Sequence, residues 1–142
     1  MFDLTELVTV LTTAGIRAAL DSGKEPTLAN QTDEGRVQVG YQSVESQGDL
    51  SDGFSMDSCK KLSQDLAFIF YLQYTCKLED FPSFYSTLYE LVNTWTPVAI
   101  LPDADYTATY LEKGGRKGVA NGRIWWVDYW QIDFPRVQSN NI

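Results

Sequence analysis

The stretch that decides the fold is Arg123-Ile124-Trp125-Trp126-Val127-Asp128-Tyr129-Trp130-Gln131-Ile132-Asp133-Phe134. Read at period two, Ile124, Trp126, Asp128, Trp130, Ile132 and Phe134 point one way, and Trp125, Val127, Tyr129, Gln131 and Asp133 point the other. Side chains on a strand alternate between faces, so this is a strand with a rich apolar row on each side. One row packs on a core. The other, with Trp125, Val127 and Tyr129, is too apolar to stay wet over a large area, so a loop or another chain must cover it. Aromatic anchors are typical of interfaces, and this face points to an oligomer.

Working outward, residues 104–111 alternate as a partner strand. Between the two lies 112–122, which reads as a glycine-rich hairpin connection of net positive charge with Arg116 and Lys117 at its centre. Residues 81–95 switch to helical period: Phe81, Phe84, Leu88, Leu91, Val92 and Trp95 form one stripe, Asp80 is the expected cap, Pro82 suits the first turn and Pro97 ends the helix. Residues 62–76 place Leu66, Phe68, Phe70, Leu72 and Tyr74 on one face and Ala67, Ile69, Tyr71 and Gln73 on the other. Both rows are largely apolar, which predicts a central strand.

Nearer the start, Leu4, Leu7, Val8 and Leu11 predict a helix over 3–14, with Asp3 and Glu6 as a loose capping box and Gly15 as its stop. Residues 16–20 predict a short strand and 36–45 a strand with one wet face; 21–35 and 46–58 read as loops. The expectation is a single α+β domain over 1–135: a small, mostly antiparallel sheet with two main helices packed on one face, followed by a polar tail at 136–142. Trp126, Trp130 and Phe134 should cover the helix side of the sheet.

Composition excludes several functions. The 142 residues carry 19 acidic and 11 basic side chains, a net charge of −8, and no histidine. Without histidine there is no Ser-His-Asp triad, no Cys-His dyad and no histidine-ligated metal in one chain. Cys59 and Cys76 are too few for a four-cysteine metal site or a disulfide scaffold, and neither has a histidine to activate it. Asp103 and Asp105 are a candidate carboxylate pair but read more simply as loop chemistry. Gly114-Gly115-Arg116-Lys117-Gly118 lacks the Walker spacing and a following helix, so it is not a phosphate loop. Neither an enzyme nor a cofactor or metal is expected. The acidic balance argues against a nucleic-acid reader, although it suits a protein that lets DNA pass without gripping it. An acidic DNA mimic is the competing reading, but its carboxylates should line one surface, and here they are spread along the chain. No run of 18 apolar residues spans a membrane, and Met1-Phe2-Asp3-Leu4 lacks the basic start of a signal peptide, so cytoplasmic synthesis with reduced thiols is expected.

Two segments carry a family resemblance. The helix ending at Ala14-Gly15 and running into Ile16-Arg17-Ala18-Ala19-Leu20-Asp21 resembles the start of the tail terminator (tail completion) proteins of long-tailed bacteriophages. Asn121-Gly122-Arg123-Ile124-Trp125-Trp126-Val127-Asp128, continued through Phe134, resembles their last strand. The 21–35 segment departs from the family in lacking its Leu-Asn-Pro stretch. The resemblance implies a non-enzymatic virion protein, assembled in the host cytoplasm. It would form a homo-oligomeric ring, commonly a hexamer, at the head-proximal end of the tail. There it ends tube polymerisation and joins the head connector, with the tail tube protein and the head-tail connector protein as partners and DNA passing through unbound. Another neck or tail adaptor is the neighbouring possibility. On this reading the subunit contacts are Trp125 and Tyr129 on the surplus face, with Arg116 and Lys117 meeting an acidic surface of the next copy. Asp49, Asp52 and Asp57 are the acids expected to face a channel.

Overall fold

The structure is a computed structural model that describes residues 2–23, 36–46, 65–98 and 106–135. The loop acids Asp49, Asp52 and Asp57, the thiol Cys59, the pair Asp103 and Asp105, and the tail 136–142 lie outside the described residues.

The described elements run α1 (Leu4–Thr13), β1 (Ala18–Leu20), β2 (Val37–Ser46), β3 (Asp65–Lys77), a single 3-10 turn (Leu78–Asp80), α2 (Phe81–Thr94), β4 (Ala108–Ala120) and β5 (Arg123–Pro135). The five strands form one mixed sheet in the order β1-β2-β3-β5-β4. Only β1 and β2 pair in parallel; the β2–β3, β3–β5 and β4–β5 ladders are antiparallel. The architecture is α+β. As its two apolar rows require, β3 is central, paired with β2 on one side and along its whole length with β5 on the other.

The core is one cluster. Leu4, Leu7 and Leu11 of α1 and Leu88 and Val92 of α2 join Val37 and Val39 of β2, Phe68, Phe70, Leu72 and Tyr74 of β3, and Ile124, Trp130, Ile132 and Phe134 of β5. These strand residues are the rows anticipated from period two. Trp130 and Phe134 are buried, and Trp126 packs half-buried against the cluster, with its ring 4.9 Å from that of Phe81.

Local chemistry explains the element ends. Asp3 caps α1, its carboxylate accepting from the Thr5 amide at 3.0 Å. Glu6 does not close the expected capping box; its Oε1 accepts instead from the Val98 amide at 3.2 Å, tying the segment after α2 to α1. Gly15, at φ +90°, ends α1 as a Schellman motif: the Ile16 amide donates to Leu11 O and the Gly15 amide to Thr12 O. Ile16 and Leu11 are both buried in the core, the apolar contact this motif favours. At α2, Asp80 makes no side-chain cap, because the preceding 3-10 turn already holds it in helical conformation. Trp95, expected within the helix, lies just beyond it in an extended conformation, yet is buried with its ring 5.9 Å from Phe70.

The largest departure concerns 112–122. It is not a hairpin connection: β4 continues through it to Ala120, and the turn is Asn121-Gly122 alone, at φ 55° and 72°. Two successive positive φ values are what a two-residue hairpin turn matching the strand twist needs, and Asn-Gly meets that need with little strain. The glycines mark register shifts between Leu111 and Gly115 and between Arg116 and Gly118, so they serve as bulges within a strand. Among the described residues no helix is long and apolar enough to cross a membrane.

Candidate interaction face and its polar network

On the sheet face turned away from the core row, the odd-numbered residues of β3 and β5 come together. Ala67, Ile69 and Val127 are buried, while Tyr71, Trp125 and Tyr129 remain half-buried. Tyr71 and Tyr129 stand opposite each other in the ladder with ring centroids 6.0 Å apart. A groove of about 320 Å³ opens here, lined by Gln42, Tyr71, Gln73, Lys117, Trp125, Val127 and Tyr129. Three of the four residues anticipated as contacts, Trp125, Tyr129 and Lys117, therefore share one groove. Arg116 does not: it pairs with Trp126 in register and lies on the core side of β4, exposed at the outer strand. The second-face apolar row is thus partly covered by the chain itself at Val127, and open at its two aromatic ends.

A polar network underlies the groove. The Tyr71 hydroxyl donates to Asp21, its ring filling the space a Cβ on Gly40 would take. Gln73 Nε2 donates to Asp21 Oδ2 at 3.1 Å and to Gln38 Oε1 at 2.7 Å, and Gln73 Oε1 accepts from Trp125 Nε1 at 3.1 Å. Burial, reinforced by the hydrogen bond to Asp21, pushes the Tyr71 hydroxyl well above the ordinary tyrosine pKa, so it remains a donor. The network orients Trp125 from below. Only Gln73, a lone amide in an otherwise apolar strand, signalled it in the sequence; Asp21 lies more than fifty positions earlier in the chain and reaches the site only because β1 ends beside β2.

A second network sits on the core side. Asp128 is buried, and its Oδ1 accepts from Trp126 Nε1 at 2.7 Å and from the Tyr110 hydroxyl at 2.9 Å, which in turn accepts from Tyr85 at 3.1 Å. Burial raises the Asp128 pKa above the usual 3.8, although both hydrogen bonds oppose the shift. The buried charge is disfavoured most above the folded-state pKa, and that destabilisation vanishes below the unfolded value. Acidification through this window should therefore move stability in favour of the parent over Asp128→Asn, which keeps an acceptor but cannot titrate. Urea midpoints of both proteins at neutral and mildly acid pH measure it; a constant difference between them would refute the assignment.

Among the described residues the nearby Tyr74 hydroxyl is buried with no hydrogen-bond partner, and burial, then the neighbouring Asp128, drives its pKa upward. A buried unsatisfied hydroxyl costs about 1–3 kcal/mol. Tyr74→Phe should consequently be neutral or raise stability by up to about 1 kcal/mol in chemical denaturation; a loss above about 1 kcal/mol would show that the hydroxyl has a partner.

Among the described residues, no three His, Cys, Asp or Glu side chains are grouped to hold a metal ion, and Cys76 is buried within the core. The chemistry available on the groove face is that of a binding surface: rings, amides and one ammonium group. The chain matches no protein-family model, and no curated protein matches it.

Proposed function

We propose that this protein is a structural virion subunit resembling the tail terminators of long-tailed phages. On this reading it forms a homo-oligomeric ring, a hexamer in the commonest form, at the head-proximal end of the tail. It stops tube polymerisation and offers the surface on which the head connector docks. Both helices form a single cover on one face of a mostly antiparallel sheet, and a neighbour meets the opposite face where Trp125 and Tyr129 stay half-buried. The observation that supports this most directly is the groove face. Trp125 and Tyr129 stay half-buried beside Lys117, with Trp125 held by Gln73, itself bonded to Asp21, on a chain of net charge −8. Half-covered aromatics on a rigid sheet make good anchors, because they lose little side-chain freedom on docking.

The experiment is assembly of the purified chain, alone and with tail tubes, followed by native mass and by imaging of tube ends. Parent protein should form closed rings or cap tubes. Trp125→Ala with Tyr129→Ala should weaken assembly about 30-fold or more, as loss of hot-spot anchors does, while the fold persists. A parent that neither oligomerises nor binds tube ends overturns the reading.

A further inference from the structure

We propose that the groove beside Lys117 in one copy receives the exposed turn Leu78-Glu79-Asp80 of the next copy. The inference rests on the ring reading and names the element that fills the groove in such a ring.

Most hydrogen-bonding groups of the groove are already engaged within the chain. The Gln73 amide directs Nε2 to two acceptors, Asp21 and Gln38, which leaves Oε1 for the Trp125 indole N–H. The Tyr71 hydroxyl donates to Asp21. Lys117 is the charged group of the lining, which holds no carboxylate among the described residues. The register shift between Arg116 and Gly118 leaves Lys117 without a register partner in β5, and a bulge of this kind re-aims a side chain. Around the ammonium stand the Trp125 and Tyr129 rings and the buried Val127. Such a site fits an apolar side chain with a carboxylate next to it.

The 3-10 turn between β3 and α2 has that composition. Leu78 is 44% exposed, and Glu79 and Asp80 beside it are exposed as well. Asp80 makes no side-chain cap to α2, so the helix does not claim its carboxylate. Other exposed apolar side chains fit less well. Leu20 adjoins Asp21, whose carboxylate is engaged by Tyr71 and Gln73; Val119 lies in the basic part of β4; Tyr89 packs on Tyr110 and Trp130. The turn is also held in place, because the Leu78 amide donates to Gly122 O at 2.9 Å, and a held element loses little freedom on docking.

Position makes the occupant a second copy. The turn lies just past the Lys77–Arg123 pair at the end of the sheet and leads into α2, whose Leu88 and Val92 are in the core cluster. It therefore runs toward the core side, away from the groove face of its own chain. In the next copy's groove, Leu78 meets the two rings while Glu79 and Asp80 meet Lys117. Two different surfaces make a heterologous contact, which propagates and closes into a ring when the rotation allows.

Charge reversal tests the contact, since Lys117, Glu79 and Asp80 are all exposed. Circular dichroism and melting confirm the fold. A lysine at 80 puts positive charge at the start of α2, so Glu79→Lys alone replaces the double variant if that one unfolds. By sedimentation, Lys117→Glu should self-associate about 30-fold more weakly than the parent, and so should Glu79→Lys with Asp80→Lys, because like charges then face each other. Leu78→Ser should weaken association about 10-fold. All three reversals in one chain should recover most of the loss. An equal mixture of the two weakened variants should do the same, because its junctions are alternately original and reversed. The proposal is overturned if either variant assembles like the parent, if neither the combined chain nor the mixture recovers, or if the parent never associates. Closed rings from the parent and from every charge variant would end this contact and leave the ring reading standing. Open chains of parent that the variants block and the mixture restores would do the reverse. Capping of tube ends that Lys117→Glu abolishes and Glu79→Lys with Asp80→Lys leaves intact would give the groove to the tube protein and overturn the proposal.

Discussion

Trp130→Ala is expected to lose about 3–5 kcal/mol of stability, the range for truncating a fully buried large aromatic. Trp130 is 2% exposed in the middle of β5, with its ring 5.3 Å from Tyr89 and 5.2 Å from Tyr110. The two tyrosines come from α2 and β4, so the indole joins helix to sheet at the point where Asp128 also gathers Tyr110 and Trp126. Its removal opens a cavity that a strand paired on both sides cannot collapse to fill. With total stabilities of about 5–15 kcal/mol for domains of this kind, such a loss should leave much of the protein unfolded on modest warming. Thermal and urea denaturation measure it; a loss under about 1 kcal/mol would mean that the site repacks, against the geometry described.

Gly114→Val is expected to be nearly as severe for a different reason. A Cβ at residue 114 would run into the backbone oxygen of Val127, with Asp128 Cα only 3.0 Å away. Neither obstacle is a flexible side-chain tip that can swing aside. The β4–β5 ladder would have to separate at its bulge, at a cost of at least about 1–3 kcal/mol. Hydrogen exchange along β5 should accelerate around Val127 and much less at the distant Ile132. Unchanged exchange and melting would show that the ladder absorbs the extra carbon.

Both predictions fall on the segment whose reading decides the fold, yet they were not equally legible. Trp130 could be placed in the core from alternation alone, because a period of two with large apolar residues leaves few other arrangements. Gly114 could not. Glycine, lysine and arginine clustered over 112–118 resemble a loop, and strand propensity penalises the glycines and, less, the lysines. The strand persists because β5 supplies a complete partner edge and bulges absorb the misfit, a tertiary override of local preference.

The same division holds for the interaction face. Trp125, Tyr129 and Lys117 were legible as a set, since strand parity and hairpin proximity bring them together. Arg116 was misplaced, because 112–122 reads as a loop, whereas within β4 the consecutive Arg116 and Lys117 point to opposite faces. Asp21 and Tyr71 were invisible as partners: nothing in a linear sequence marks a contact across so long a separation until β1 and β2 are paired.

By itself, then, the amino-acid order determined the two helices, the central strand, the buried faces and the absence of histidine chemistry, because periodicity and composition are local properties that survive in any fold. The tertiary structure alone decided the parallel β1 contact, the extension of β4 to its Asn-Gly turn, and the Asp128 and Asp21 networks. Each of these depends on which distant segments lie side by side, and pairing energy is shared between strands rather than carried by either one.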